Sequence, residues 1–339
     1  MVPQLKDSRI SIVMSARVTL VIFLALSASV AAVGAAAQRS AERYPTRPIR
    51  LIIPFAPGGG TDLMARVFAQ KFSESVGQTV VIDNRAGGGG AIGAETAVRS
   101  APDGYTLCLV STSYSTNAAL FKLPYDPVND ITPIAMLGDA GILLTLHPSV
   151  PARSVQELIA LAKAKPGSLN FASTGTGGNT HLATELFNIM AGTQMTHVPY
   201  KGTGPALNDL LGGQVHLIMG TLGVMLPHVK TGRLRGLAVT NAKRNSALPD
   251  IPTIAETLPG YEATLWYGVW GPKGLPTHVV TLWNTELRKA ARLPDVKRRF
   301  VAEGIEPVDG PPEVFRNVVQ RDIAKWINVV KTANIRQIQ

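Results

Sequence analysis

Residues 50–62 read RLIIPFAPGGGTD, and this stretch decides the fold class. Its first part, Arg50 to Ala56, is strongly apolar and predicts a buried strand, and Pro57 with the three glycines behind it predicts a turn. The apolar residues that follow recur at helical spacing: Leu63, Met64, Val67, Phe68 and Phe72. A strand, a glycine-rich turn and a helix in succession form the repeating unit of α/β proteins with mostly parallel sheets.

The same alternation continues along the chain. Further strands are predicted at residues 79–83, 105–110, 169–173, 196–200, 215–219 and 234–240. Ser154 and Glu157 form a capping box for a helix that runs to about Lys165. Three closing helices are predicted, each opened by a proline: 276–291, 294–303 and 311–332.

Two features favour two lobes over a single doubly wound sheet. Glycine-rich strand-to-helix loops occur at widely separated places, 57–61 and 175–178. The chain beyond about residue 260 is predicted to be almost entirely helical, as in a segment that returns to cover the first lobe. We expect the chain to cross between lobes near Gly138–Gly141 and between Lys243 and Tyr267. The expected domains are therefore 44–140 with 251–339 as the first lobe, and 141–250 as the second.

Residues 1–37 have the pattern of a cleavable secretory signal peptide. Residues 18–37 read VTLVIFLALSASVAAVGAAA, preceded by Arg17 and closed by the small residues Ala35-Ala36-Ala37. The strongly apolar part spans about 16 residues, whereas a membrane span needs about 20. We therefore expect export and cleavage after Ala37 rather than a membrane anchor. Met14 is an alternative start.

The composition argues against several classes of function. Hydrophobic residues make up 45% and charged residues 17%, which predicts a packed core. The net charge of +10 is scattered along the chain and not interleaved with aromatics, so no nucleic-acid partner is expected. Cys108, the single cysteine, stands in an apolar run and predicts neither a disulfide nor a zinc site. The six histidines show no metal-ligand spacing, so neither a metal nor another cofactor is expected.

Glycines and hydroxyl side chains follow three of the predicted strands. They lie in residues 57–62 (PGGGTD), 111–113 (STS) and 173–180 (STGTGGNT). Backbone N–H groups in such turns and at helix N-termini bind carboxylates and phosphates, and ligands of open α/β sheets lie beyond the carboxyl ends of the strands. The sequence thus predicts an anion-binding site. Asp62 either caps its helix or meets a ligand amine, and capping is preferred.

Seven longer blocks extend these motifs over nearly the whole chain after residue 43. They read YPTRPIRLIIPFAPGGGTDLMAR, VVIDNRAGGGGAIGAE, PDGYTLCLVSTS, THLATELF, HVPYKGTGPALNDLLGGQV, PHVKTGRLRGLAVT and LPDIPTIAETLPGYE. Together they resemble the Bug proteins, the solute-binding components of tripartite tricarboxylate transporters. The resemblance implies a two-lobed periplasmic-binding-protein fold with a ligand cleft between the lobes. It also implies a periplasmic protein that captures a small carboxylate and delivers it to integral-membrane permease subunits, and we expect a monomer.

The resemblance also implies the ligand-binding residues, position by position. They are Phe55, Ala56, Gly58, Gly59, Thr61 and Asp62 in the first loop, Ser111 and Thr112 after the third strand, Thr174, Gly175, Thr176 and His181 in the second-lobe loop and helix start, Tyr200, Lys201 and Gly202 in a tyrosine-lysine-glycine turn, and Thr221. The family often has acidic and amide residues after its GGQV strand, whereas residues 216–224 read HLIMGTLGV. A ligand amine would lose a partner there, which favours a plain or aromatic carboxylate over an amino acid.

Two enzyme interpretations are weaker. Gly88-x-Gly90-x-x-Gly93 matches the dinucleotide fingerprint, but the next strand ends in Ser111-Thr112-Ser113 and lacks the acidic residue that would bind the ribose. An exported hydrolase or transferase acting on a small carboxylate, with Ser111 as nucleophile and His181 as base, is the alternative. It lacks a third group to orient the histidine, so a binding protein that is not an enzyme is favoured.

Overall fold

The computed structural model describes residues 44–58, 60–200, 202–245 and 248–337, so the predicted signal peptide lies outside the described residues. The strands are β1 Ile49–Ile53, β2 Val80–Asn84, β3 Thr106–Ser111, β4 Ile131–Leu146, β5 Asn170–Ser173, β6 Thr196–Pro199, β7 Leu217–Thr221, β8 Arg235–Val239, β9 Thr264–Pro272 and β10 Ile305–Pro307. The α-helices are α1 Gly60–Val76, α2 Ala91–Val98, α3 Ser113–Leu120, α4 Val155–Ala164, α5 Asn179–Ala191, α6 Thr203–Leu211, α7 Leu222–Lys230, α8 Thr277–Ala291, α9 Pro294–Glu303 and α10 Pro312–Thr332. Within the described residues, every helix is too short or too polar to span a bilayer.

The strands of the described residues join in one mixed sheet. Its order is β2-β1-β3-β9-β4-β7-β5-β6, and β8 and β10 also pair with β4. β1 pairs in parallel with β2 and β3, and β5 pairs in parallel with β6 and β7. Every pairing of β4 is antiparallel, as is that of β3 with β9. The expected parallel sheet therefore occurs twice, as two α/β units that antiparallel strands connect.

The 16-residue strand β4 belongs to both units. Its residues Ile131–Gly141 pair with β9, and its residues Ile142–Leu146 pair with β7. Register shifts at Pro133 and Met136 mark bulges, which bend a strand and increase its twist. We call β2, β1, β3, β9 and the first part of β4 the first sheet section, and the last part of β4 with β7, β5, β6 and β8 the second.

The sequence located most elements to within about two residues but missed β4 and β9. Proline and glycine in residues 131–141 argue against a central strand. The structure places Pro133 at a bulge, where the lost ladder hydrogen bond is tolerated. The expectation that the chain beyond residue 260 is almost entirely helical is wrong, because β9 occupies Thr264–Pro272 in the middle of the sheet.

Helix α10 packs on both sheet sections. Near its start, Phe315 meets Trp266 of β9 edge to face, with ring centroids 5.4 Å apart. Near its end, Trp326 and Val329 join the core of the second section around Phe171. The closing helix was expected to cover the first lobe, and it braces the second as well.

Asp139 lies in β4, opposite Trp266 of β9, where the chain passes from one section to the other. Its Oδ1 atom is buried and has no hydrogen-bond partner among the described residues. Burial, opposed by a hydrogen bond from Thr264, raises the pKa of this carboxyl from 3.8 to about 6, and the nearby Glu262 and Asp322 add to the rise. The ionised form is therefore disfavoured in the folded state.

Asp139→Asn should therefore stabilise the protein at neutral pH. An unfolded aspartate ionises near pH 4, whereas folded Asp139 keeps its proton up to about pH 6, so its contribution to stability is lost as pH rises through that window. We expect the variant to exceed the wild type by about 1–3 kcal/mol in the free energy of unfolding at pH 7.5. The difference should vanish by about pH 4 in urea titrations.

The matched control is Asp250→Asn, at an exposed aspartate. It should keep the pH dependence of the wild type between pH 4 and 7.5. A variant Asp139→Asn that is no more stable than the wild type at pH 7.5 would contradict the argument.

Candidate functional site

The loop between β1 and α1 is held by one buried carboxylate. Asp62 is 1% exposed. Its Oδ2 accepts hydrogen bonds from the Gly58 N–H (2.9 Å) and the Arg66 Nε (2.9 Å), and its Oδ1 accepts from the Asn84 Nδ2 (3.0 Å). Burial acts to raise the pKa of Asp62, but these hydrogen bonds, that of Arg66 foremost, outweigh it and hold the pKa below its usual value. Asp62 is thus an anchor that shapes the loop, and the protein itself occupies its oxygens.

The rest of this loop is fixed by its neighbours in the first sheet section. Asn84 also donates to the Phe55 carbonyl (3.0 Å). A Cβ atom on Gly93 would lie 2.8 Å from the Cα of Pro54, so α2 approaches the loop as closely as a glycine allows. Gly93 of the dinucleotide-like motif therefore serves packing. Ala56 and Gly58 remain exposed, and Gly59 lies outside the described residues.

A cavity of about 480 Å³ lies where the two sheet sections meet. That volume is within the range of small-molecule sites. The lining comes from Gly58 and the start of α1, from the starts of α6 and α7, and from β4, β9, α9 and β10. Its lining residues are Gly58, Gly60, Thr61, Leu63, Met64, Ala140, Thr203, Thr221, Leu222, Val224, Leu265, Tyr267, Arg299, Glu303 and Ile305.

Three helices begin at this cavity, and each brings a threonine. Thr61 lies in the first turn of α1, Thr203 is the first residue of α6, and Thr221 precedes α7. The hydroxyl of Thr221 makes no capping hydrogen bond. The first N–H groups of a helix have no partner within it, and the helix dipole adds partial positive charge. These helix starts come from both sheet sections and together suit an anion.

Tyr267 of β9 adds a buried hydroxyl to the cavity. The residue is 6% exposed, and a Cβ atom on Gly60 would lie 2.9 Å from its hydroxyl oxygen. The glycine therefore lets the phenol approach the start of α1. Burial, with a smaller effect of Glu303, raises the pKa of Tyr267 to about 12. The phenol consequently stays protonated at neutral pH and can donate a hydrogen bond.

Charged side chains enter the cavity from α9. Arg299 and Glu303 are one helical turn apart and both line it. Lys297 and Arg298, the other members of the basic run, are exposed. Arg299 differs from them, because its side chain is only partly exposed and lines the cavity. Its spacing of three from the buried Val296 was the available signal, because residues three or four apart share a helix face.

The second-section loop, residues 173–178, is shaped by its own hydrogen bonds. Thr180 Oγ1 accepts from the Thr174 N–H at 2.9 Å, and the Gly178 N–H donates to the Gly175 carbonyl at 3.1 Å. Gly175 has φ 138°, in the region that favours glycine. Thr176 is exposed. None of the residues 174–176 lines the cavity.

His181 supports this loop from beneath. It is 4% exposed, and its Nδ1 accepts a hydrogen bond from the Gly177 N–H at 3.0 Å. Its ring stacks on that of His197, with centroids 3.8 Å apart. Burial, with His181 nearby, lowers the pKa of His197 to about 4, and His197 Nε2 lies 2.6 Å from Ser173 Oγ. The two imidazoles form a buried stack.

The serine and threonine after β3 are also engaged within the protein. Ser111 Oγ bonds to Ser113 Oγ at 3.1 Å. Thr112 is fully buried; its Oγ1 donates to the Thr264 carbonyl and accepts from the Trp266 N–H. Thr112 therefore joins β3 to β9 at the crossing between sections. No hydrogen bond joins Ser111 to His181, so the described residues show no nucleophile–base pair of the hydrolase alternative.

The tyrosine-lysine-glycine turn lies between β6 and α6. Tyr200 donates its hydroxyl proton to Asp209 Oδ2 at 2.7 Å. Gly202 precedes α6 with φ 108°, which lets the chain turn so that Thr203 reaches the cavity. Lys201 lies outside the described residues.

The structure thus brings only some of the expected residues together. Gly58, Thr61 and Thr221 line the cavity, while the other described residues of the expected set lie outside its lining. The sequence missed Thr203 and Tyr267, although Thr203 directly follows the recognised turn. Tyr267 lies in β9 between Trp266 and Trp270, and both tryptophans are fully buried.

Comparisons with known proteins agree on one family. Residues 64–335 match the family model described as the tripartite tricarboxylate transporter family receptor. The protein BugT of Bordetella pertussis is 40% identical over 306 residues, which cover 89% of this chain and 94% of BugT. A protein of Cupriavidus necator, described as a UPF0065 protein in the gbd 5' region, is 35% identical over 93% of this chain and 97% of its own length.

Solved structures of related proteins show the same fold. Rpa4515 of R. palustris, solved with adipate, is 39% identical with a TM-score of 0.75 over 87% of this chain and 100% of its own. MatC from Rhodopseudomonas palustris, solved with bound malate, is 32% identical with a TM-score of 0.71 over 85% of this chain and 100% of its own. These are two-lobed solute-binding proteins, which confirms the expected fold class. The chain therefore belongs to the tripartite tricarboxylate transporter receptor family, a family of periplasmic solute-binding receptors and not of enzymes.

Proposed function

We propose that this receptor binds a small carboxylate in the cavity between the two sheet sections, with the carboxylate group at the starts of α1, α6 and α7. The observation that carries this proposal is the convergence of three helix N-termini, each with a threonine, on one cavity. The side-chain hydroxyls of Thr61, Thr203 and Thr221 make no hydrogen bond within the described part of the chain. Their hydroxyls are therefore available to a solute.

Energetics explain why both sections are needed. One helix terminus contributes about 0.3–1 kcal/mol to the binding of an anion. A micromolar complex requires roughly 8 kcal/mol. No single loop supplies that much, so we expect helix starts from both sections, the threonine hydroxyls and the apolar walls to act together on one solute.

The apolar walls favour a solute with a hydrocarbon part. Leu63 and Met64 of α1 face the cavity on one side, and Leu222 and Val224 of α7 do so on the other. Relatives support the carboxylate assignment, because Rpa4515 was solved with adipate and MatC with malate. We propose the same chemical class for this chain.

The wider biology follows from the family. We propose that the chain is exported by a signal peptide cleaved after Ala37, acts as a monomer, and delivers its solute to the integral-membrane permease subunits of a tripartite transporter. We also propose the lobe boundaries 44–140 with 251–339 and 141–250. The division of β4 between the two sheet sections at Gly141 supports them.

A thermal-shift screen tests the proposed ligand class. The protein from Gln38 onward would be heated with mono-, di- and tricarboxylates, aromatic acids and amino acids, including aspartate and glutamate. A carboxylate at 100 times its Kd should add about 2.7 kcal/mol to stability and raise Tm. The ligand should be recovered chemically unchanged. If no carboxylate raises Tm, or if the recovered compound is chemically altered, the proposal is contradicted.

Thr221→Val tests the position of the carboxylate. The substitution keeps the shape of the side chain and removes a hydroxyl that makes no capping bond, so Tm without ligand should change little. The affinity for the carboxylate identified in the screen should fall about 10-fold in calorimetric titrations, because a hydrogen bond to a charged group is lost. Thr285→Val, at an exposed position of α8, is the control and should bind like the wild type. Unchanged affinity in Thr221→Val would place the carboxylate elsewhere.

A further inference from the structure

Among the described residues, Arg299 is the one basic side chain that lines the cavity. It projects from α9, a different helix from the three that begin at the cavity. Its Nε atom is buried and has no hydrogen-bond partner within the described residues. No ion pair links its guanidinium to a carboxylate of that part of the chain.

A buried guanidinium nitrogen without a hydrogen-bond partner is unfavourable in the protein alone. Arginine stays charged at all ordinary pH values and cannot lose its proton to escape this cost. Its planar fork of donors matches a carboxylate, which it binds through two parallel hydrogen bonds. The cavity therefore holds a cation whose donors a bound anion could satisfy.

Glu303 is the nearest candidate to neutralise this charge, and it does not pair with Arg299. It is exposed to solvent, so water screens its charge. A Cβ atom on Gly223 would lie 3.0 Å from the Glu303 Oε2, so the carboxylate lies against the start of α7. Glu303 thus lies between α9 and the start of α7. It leaves the Nε of Arg299 without a hydrogen bond among the described residues.

We propose that Arg299 binds a second carboxylate of the solute, so that this receptor selects dicarboxylates over monocarboxylates of the same length. The inference rests on the proposed function: one carboxylate occupies the helix starts and the other meets Arg299. Leu222, Val224 and Leu265 line the cavity as well and would contact the hydrocarbon between them. Arg299 is then a residue that determines specificity.

Matched ligands isolate the second charge. Succinate, glutarate and adipate would be compared with their monomethyl esters by calorimetric titration at pH 7.5. Each ester keeps the carbon chain and one carboxylate. We expect at least one diacid to bind the wild type about 10- to 100-fold more tightly than its ester, as a charge-assisted hydrogen bond provides.

Arg299→Gln tests whether the preference for the diacid over its ester depends on Arg299. The variant should lose about 10- to 100-fold in affinity for the diacid and less than about 2-fold for the ester. Its Tm without ligand should not fall, because the Nε of Arg299 has no hydrogen bond to lose among the described residues. Arg298→Gln, on the exposed face of the same helix, is the control and should bind both ligands like the wild type. If Arg299→Gln does not fold, Arg299→Met removes the charge at similar length and carries the same expectation.

The outcomes separate this inference from the proposed function. If the ester binds the wild type as tightly as the diacid, or if the Arg299 variants weaken both ligands equally or neither, the role of Arg299 is overturned while carboxylate binding stands. Tight binding of a monocarboxylate or an amino acid with no diacid binding overturns it likewise. If no carboxylate of the larger screen binds, the proposed function itself has failed.

Discussion

The fold depends on a single strand that two α/β units share. β4 pairs with β9 through its first eleven positions and with β7 through its last five, so neither unit has a complete sheet without it. Two bulges, at Pro133 and Met136, interrupt its pairing with β9, and a bulge bends a strand and increases its twist. The cavity lies beside this strand, at Ala140, and its geometry is set by backbone pairing more than by any individual side chain.

This arrangement explains why helix N-termini from both sections meet at one place. In a parallel α/β unit each strand is followed by a helix that begins near the carboxyl end of the strand. Ligands of open sheets bind at this end. β1 leads to α1 and β7 leads to α7, and both helix starts line the cavity. Helix α10 braces the two sections through Phe315 and Trp326, which restricts how far they can separate. A site built in this way suits a receptor that must enclose its solute.

The sequence predicted the elements better than the lining of the site. Local signals located β1 and α9 well, because apolar runs and helical periodicity reflect short-range physics. The sequence did not predict strand β4, because Pro133 is tolerated there only through a bulge, and the bulge forms only when β4 pairs with β9. The hydroxyl side chains expected to bind the ligand fall into two groups for a similar reason: some are hydrogen-bonded within the protein and others are not. Thr112 and Thr221 look alike in the sequence, but Thr112 is occupied by backbone groups of β9 from 152 residues away and Thr221 is not.

The same distinction bears on how such receptors differ in their solutes. Backbone N–H groups at helix starts exist whatever the sequence, so they supply affinity for a carboxylate without choosing among carboxylates. The carboxylate of Asp62 holds the loop between β1 and α1, and the buried imidazole of His181 supports the loop of residues 173–178. Discrimination must therefore come from side chains whose donors the protein leaves unused, here the phenol of Tyr267 and the guanidinium of Arg299. Because a buried donor of a charged group costs more to leave unpaired than a hydroxyl does, the unpaired Nε of Arg299 is stronger evidence for a role in binding than a free hydroxyl is.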